Sequence, residues 1–329
     1  MTIATRLRFR SYAGETDVPA IVRVMNSASL ADGVEEVWSE EGIRAWLAHP
    51  SEQFDPARDV VVAELGREVV ATGRLEWVDT RDGRYREYRH FSSVEPSHRG
   101  RGIGTALLAE LEGLCRARAA EHRSDRPQVL MSFAAAGRPS QAFLEANGYE
   151  IARWFFDMLR STLDAIEEPP MPAGLELRPV TEDQHETIWR ANREAFRDHW
   201  GGSDESLEVM QRILGDPDTD TSLWLIAWDG GEVAGGIWNE IRGEENEALG
   251  VRRGWLDSVF TRRPWRRRGL AGALIGRSLA LLRERGMTSA MLGVDADNPT
   301  GALGLYEAAG FEVHDRFVAV RKPMEGPPT

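Results

Sequence analysis

The chain has 329 residues, about twice the roughly 150 of a single-domain prior, and its 42% hydrophobic and 28% charged residues exclude disorder, collagen-like order and a disulfide-stapled miniature. A formal net charge of −13 argues against binding to phosphate backbones, which needs a broad basic face, so no nucleic-acid partner is expected. No apolar run approaches the roughly 18 residues that cross a bilayer, and no signal-like apolar segment opens the chain, which predicts no membrane association and a cytoplasmic location.

The single cysteine, Cys115, excludes an intramolecular disulfide and reads as a small buried hydrophobe on a helix. The histidines show no pairing at metal-ligand spacing, so no metal site is expected.

Taken in order, the elements repeat. Leu7–Tyr12 alternates apolar and polar residues as a half-buried strand does, and Leu175–Val180 repeats the pattern 168 positions later. Each precedes a helical stretch. In each half the pattern predicts a strand, one or two helices, three strands, a long helix, a strand, a helix and a final pair of strands. In the second half these fall near 175–180, 184–214 (helical), 222–228, 232–241, 254–261, 269–285 (helix), 289–294, 299–309 (helix) and 311–322. Val94–Gly104 aligns with Thr261–Ala271 at an offset of 167, and Phe143–Tyr149 aligns with Leu305–Phe311 at an offset of 162. The segment Glu167–Gly174, rich in proline and acid, separates the copies, because proline blocks both helix and ladder continuation. The expected organisation is a first domain over 1–165, a linker over 166–174 and a second domain over 175–329, each an α/β or α+β sheet flanked by helices.

The most informative feature is a strand followed by Arg-x-x-Gly-x-Gly/Ala and a helix, present twice. The first copy is Arg99, Gly100, Arg101, Gly102, Ile103, Gly104 after Val94; the second is Arg266, Arg267, Arg268, Gly269, Leu270, Ala271 and Gly272 after Thr261. Small residues at a helix N-terminus let backbone N–H groups converge where the helix dipole adds positive potential, and the ligand that fits is a phosphate or pyrophosphate. Neither copy matches a dinucleotide fingerprint or a P-loop. Arg262, Arg263 and Arg266–Arg268 concentrate positive charge around the second copy.

At these residues the sequence resembles, twice over, the GNAT superfamily of acyl-CoA-dependent N-acyltransferases. The turns are similar to its coenzyme A pyrophosphate motif, and Asn298–Phe311 is similar to its downstream helix motif. The run Val294–Asn298 also resembles a tandem branch of the family, the mycothiol synthases. The resemblance implies two tandem domains of mixed central sheet, splayed between the fourth and fifth strands, with acetyl-CoA as cofactor. Its pantetheine arm would pair with the fourth-strand backbone, Leu256–Thr261 in the second half, and a backbone N–H near Val259 or Phe260 would polarise the thioester carbonyl. Asn298 would mark the start of the helix beside that arm.

By the same resemblance Tyr306 is the acid that protonates the departing thiolate, a task suited to a phenol of ordinary pKa near 10. Its first-half counterpart, 162 positions earlier, is Leu144, and Ala136 and Gly137 replace Asn298 and Pro299. The first domain is therefore expected to be degenerate. Counting by two places Trp255, Asp257, Val259 and Thr261 on one strand face, which makes Asp257 the candidate base; its counterpart is His90. The mycothiol synthases carry a glutamate on this face where this chain has Trp255. Glu240 and the loop residues Glu244, Glu245 and Glu247 are alternatives, read otherwise as solvated. Trp224, Trp228 and Trp238 are expected in the core. The resulting expectation is acetyl transfer to a primary amine of a small molecule by direct attack in the second domain, the protein being a monomer or homodimer. A noncatalytic acyl-CoA-binding module and a protein or peptide N-acetyltransferase are the alternatives.

Overall fold

The computed structural model describes residues 7–298 and 301–324. Its strands are β1 (Leu7–Ser11), β2 (Val60–Leu65), β3 (Glu68–Asp79), β4 (Arg86–Val94), β5 (Gln128–Ala135), β6 (Glu150–Arg160), β7 (Glu176–Arg178), β8 (Leu225–Asp229), β9 (Glu232–Glu240), β10 (Arg253–Thr261), β11 (Ser289–Asp295) and β12 (Glu312–Pro323). The helices are α1 (Val18–Asp32), α2 (Glu40–Leu47), α3 (Pro56–Asp59), α4 (Ile103–Glu121), α5 (Pro139–Ala146), α6 (His185–Ala195), α7 (Leu207–Gly215), α8 (Gly243–Leu249), α9 (Leu270–Glu284) and α10 (Ala302–Ala308). No helix among the described residues is long and apolar enough to cross a membrane.

Two compact units divide the chain, and they do not follow the repeat boundary. One holds residues 7–153, 201–212 and 318–324; the other holds 154–200 and 213–317, apart from the two undescribed positions. In the first unit the sheet order is β1-β2-β3-β4-β5-β12, with β1 to β4 antiparallel and β4 parallel to β5. In the second it is β7-β8-β9-β10-β11-β6, with β10 parallel to β11. The closing strands are exchanged. Residues Phe155–Arg160 of β6, from the first repeat, run antiparallel to β11, and the end of β12 lies beside β5, where Met324 N–H donates to Gln128 O at 3.0 Å. Local pattern predicts a strand; it carries no information on which copy of a duplicated sheet that strand completes.

The first unit's helix α4 buries Ile103, Leu107, Leu108, Leu111 and Cys115, a helical stripe that packs on the sheet. The second unit's α9 buries Leu270, Leu274, Ile275, Leu279 and Leu282 in one cluster with Ile237, Leu256 and Leu292. Cys115 is fully buried, as its setting predicts, and burial pushes its thiol pKa far up. Trp224, Trp228 and Trp238 are buried too.

Three local expectations differ from the structure. The long helical stretch is broken after α6, and Gly201–Arg212 belongs to the first unit, where Arg81 N–H donates to Gly201 O at 2.8 Å. A Cβ on Gly202 would lie 2.1 Å from Asp79 O, so only glycine fits this approach. The final pair of strands is one long strand in each repeat, β6 and β12. The linker is packed against α9: Arg277 Nη1 donates to Pro169 O at 2.7 Å, and a Cβ on Gly276 would meet Glu167 O at 2.4 Å.

Candidate active site

In the second unit, Gly269 caps α9 with φ 85°, a left-handed conformation that glycine adopts freely. No side chain caps this helix, and its first internal bond is Ala273 N–H to Gly269 O at 3.1 Å. The amides of Leu270, Ala271 and Gly272 thus have no intrahelical acceptor and sit at the positive end of the dipole. Leu270 is buried, so it contributes its amide while its side chain anchors the helix. This cradle fits the pyrophosphate of a coenzyme A thioester.

The five arginines around it divide into two roles. Arg266 donates to Thr261 O at 3.0 Å, to Asp198 Oδ2 at 2.8 Å and to Ala195 O at 2.9 Å. Arg263 pairs with the same aspartate, and Arg262 donates to Glu194 and to Val233 O. Together Arg263 and Arg266 hold the Asp198 carboxyl far below the usual carboxylate range. These three side chains tie the end of α6 to the turn. Arg267 and Arg268 are exposed and pair with no carboxylate among the described residues, which leaves their charge for a ligand. Arg267 is also the non-glycine residue with positive φ, 59°, among the described residues, at the place where the first copy has Gly100.

The first unit repeats this geometry. Gly102 caps α4 at φ 81° without a side-chain bond, Ile103 is buried, and Arg99 donates to Val94 O at 3.2 Å and pairs with Asp32 at 2.6 Å. Gly104 has its nearest neighbour 3.8 Å from a built Cβ, consistent with Ala271 in the other copy. Arg101 is exposed like Arg268.

Both sheets splay where the resemblance implies. Strand β10 pairs with β11 only at Arg253–Trp255, and β4 pairs with β5 only at Arg86–Arg89. Beyond those residues one backbone edge is open. Arg262 N–H donates to Ala234 O on β9, so by strand alternation the amides of Phe260 and Ser258 face β9 as well. The amides of Val259 and Thr261 point to the open edge. Of the two candidate oxyanion donors, Val259 therefore has the free direction and Phe260 does not.

The second unit's β10 carries a bulge. In β10, Leu256 pairs with Asn239 and Ser258 with Trp238, leaving Asp257 as the extra residue. The bulge flips the count by two. Val259 packs on the α9-side core with Leu256, whereas Ser258 accepts from Asn192 of α6 at 2.7 Å and Phe260 packs edge-on to Trp238. Asp257 does remain beside Trp255: Arg242 lies over the Trp255 ring at 4.1 Å and reaches Asp257 Oδ1 at 3.4 Å and Glu240 Oε2 at 3.1 Å. The adjacent apolar pairs Trp255-Leu256 and Val259-Phe260 are the sequence signal for this bulge.

Glu240, across the ladder from Trp255, becomes the central carboxylate of this cluster. Burial and the charge of Asp257 push its pKa up to about 8, against the opposing pull of Arg242. Asp257 itself is 42% exposed. The acidic loop is the helix α8, whose Glu244 and Glu247 are solvated while Glu245 is buried and accepts from Trp255 Nε1 at 2.9 Å and Arg253 at 3.2 Å.

Tyr306 is 6% exposed on α10, edge-on to Phe311, within the core cluster that also holds Leu270 and touches Val259. Burial pushes its phenol up to about 12. Asn298 closes the preceding turn, its N–H on Asp295 O at 3.1 Å; the next two motif residues, Pro299 and Thr300, lie outside the described residues. In the first unit β4 runs without a bulge, Leu144 is a buried apolar residue, and His90 turns inward to Tyr149 Oη at 2.7 Å. Burial pushes that imidazole down to about 4, so it stays neutral.

Exchange-closed splayed sheets with duplicated amide cradles define tandem acyl-CoA-dependent transferases. The chain belongs to the acetyltransferase (GNAT) family, whose model matches residues 23–149 and again 185–311. It is an N-acetyltransferase that uses acetyl-CoA. Among its relatives, a mycothiol acetyltransferase of Geodermatophilus obscurus is 30% identical over 312 residues, 93% of this chain and 94% of the relative. The mycothiol acetyltransferase of Thermobispora bispora is likewise 30% identical, over 94% of this chain and 96% of its own. A solved GCN5-related N-acetyltransferase from Sphaerobacter thermophilus superposes with a TM-score of 0.71 at 27% identity, covering 100% of this chain and 99% of that one.

Proposed function

We propose that the second unit moves acetyl from acetyl-CoA to a primary amine of a small molecule, the class of acceptor suggested by the name of the mycothiol acetyltransferases. The observation that carries this reading is the inequality of the two copies. Both have an amide cradle, but only the second joins to it a bulged strand with Asp257 and Glu240 and a tyrosine at position 306.

Acetyl-CoA supplies an activated acyl thioester. The amides of Leu270, Ala271 and Gly272, with Arg267 and Arg268, hold its pyrophosphate, and the Val259 amide donates to the thioester carbonyl oxygen. Asp257, exposed at the bulge, attracts the ammonium form of the acceptor. Glu240 takes a proton from it, directly or through a water, and Tyr306 holds the proton given to the departing sulfur. A base whose pKa lies near 8 is deprotonated in a useful fraction at neutral pH and still basic enough to accept. The first unit, with His90 neutral and Leu144 in place of the acid, binds or supports without turnover.

A thiol-release assay of the full chain with acetyl-CoA and a panel of small amines tests this. Acceptor-dependent release that is lost in Glu240→Gln and Tyr306→Phe is expected; tight acetyl-CoA binding without acceptor-dependent release would replace the reading with a noncatalytic binding module.

A further inference from the structure

The first unit contains a cavity of about 150 Å³ between α1 and α2 and the sheet, walled by Met25, Ile43, Trp46 and Phe91 and open to Arg74 and Ser93. Comparison of the two ladders shows why it exists. In the second unit Trp238 stands opposite Ser258 and stacks on Trp224 with centroids 4.5 Å apart, so indoles fill the space. At the same ladder position the first unit has Arg74 opposite Phe91, with Val60 on its other side. A guanidinium on a flexible stem replaces a packed ring, and a cleft remains.

Two arginines border that cleft. The Arg74 guanidinium lies 3.9 Å over Phe91 and 4.6 Å over Trp46, and among the described residues one of its five donors reaches a protein acceptor, Glu76 Oε2 at 3.5 Å. Arg212 approaches the same Trp46 ring at 6.0 Å; its Nε donates to His49 O at 2.6 Å, its Nη2 is buried without a hydrogen-bond partner among the described residues, and Asp204, Glu76 and Glu208 act on its charge. Glu76 and, through space, Glu36 are the carboxylates whose charge acts on Arg74, and burial disfavours its charged form. Arg74, with one long hydrogen bond to Glu76 among the described residues, keeps donors for an incoming carboxylate, which it can bind through two parallel hydrogen bonds.

Size narrows the guest. At about 30 Å³ per water the cavity holds roughly five waters, and an apolar cavity of about this size accepts benzene. Drug-sized ligands need roughly 300 Å³ or more. We propose that this cavity is a binding site for a small organic carboxylate of about benzoate size, its ring or short chain between Trp46 and the α1 side chains and its carboxylate on Arg74. The site is separate from acetyl transfer in the second unit and does not depend on it.

Calorimetric titration of the full chain with benzoate, hexanoate and the neutral isostere benzamide tests the proposal. Saturable binding of at least one acid is expected, with benzamide at least tenfold weaker. Arg74→Met is expected to weaken the acid at least tenfold while leaving benzamide unchanged. If that variant does not fold, Arg74→Lys keeps the charge and loses the planar fork, and a weakening of about tenfold is expected there. Absence of saturable binding by either acid, equal binding of benzamide, or undiminished acid binding in a folded Arg74 variant overturns the proposal.

Discussion

Arg242 donates to Glu240 Oε2 at 3.1 Å while lying 4.1 Å over the Trp255 ring that stands across the ladder from that same glutamate. The guanidinium is thus fixed by an aromatic face and two carboxylates, and it limits how far burial can raise the Glu240 pKa.

The first prediction concerns that carboxyl. A base raised to about 8 is increasingly protonated below that pH, so kcat/KM is expected to rise through about pH 8 and level off above it. Glu240→Gln is expected to flatten this limb and lower kcat by roughly a hundredfold or more, the usual scale of general base catalysis. Asp257→Asn removes a charge that raises the Glu240 pKa, so the limb is expected to shift to lower pH. A limb that stays in place in both variants would assign the titration to the acceptor amine.

Tyr306→Phe is expected to lower kcat roughly a hundredfold with KM for acetyl-CoA little changed. Because burial raises its phenol to about 12, the hydroxyl stays protonated through the ordinary working range and imposes no descending limb below about pH 11. Steady-state kinetics with a confirmed amine acceptor reads both effects. A wild-type rate in the phenylalanine variant removes the acid assignment.

Gly269 has open space around a built Cβ but a φ of 85°, so alanine there introduces backbone strain without a clash. A cost of about 1–2 kcal/mol is expected, seen as a lower Tm, together with weaker acetyl-CoA binding at the second unit. Gly102→Ala makes the same change in the first unit. Calorimetric stoichiometry then counts the cradles: a fall from two sites to one in Gly102→Ala shows that both bind, and one site in both the parent chain and the variant shows that the first is idle.

At Gly276 the restraint is contact. A methyl there would enter to 2.4 Å of Glu167 O in the packed linker, and backbone cannot rotate away as a side chain can. Gly276→Ala is expected to destabilise by about 1–3 kcal/mol, measured by denaturant unfolding. An unchanged midpoint would mean that the linker is free to lift from α9.

Much of the architecture was legible in the residues. The duplicated turns announced two copies of one fold, and the pair Tyr306 and Leu144 announced that the copies are unequal. Other features were not legible for definite reasons. The bulge at Asp257 shifts the two-residue period, so Val259 and Trp255 fall on opposite faces although counting puts them together. Arginines in one turn look alike as letters, yet Arg266 binds Asp198 and Ala195 O while Arg267 and Arg268 reach solvent.

What the sequence determined by itself is local: helix stripes, glycines at positive φ, and uncapped helix N-termini follow from side-chain size and backbone sterics over a few residues. Only the tertiary structure decided which unit each closing strand joins, that Glu240 is half-buried while Asp257 is exposed, and that Arg74 borders a cavity where Trp238 fills the second unit. Those outcomes depend on partners far apart in the chain, and burial, pairing and cavity space exist only once such partners meet.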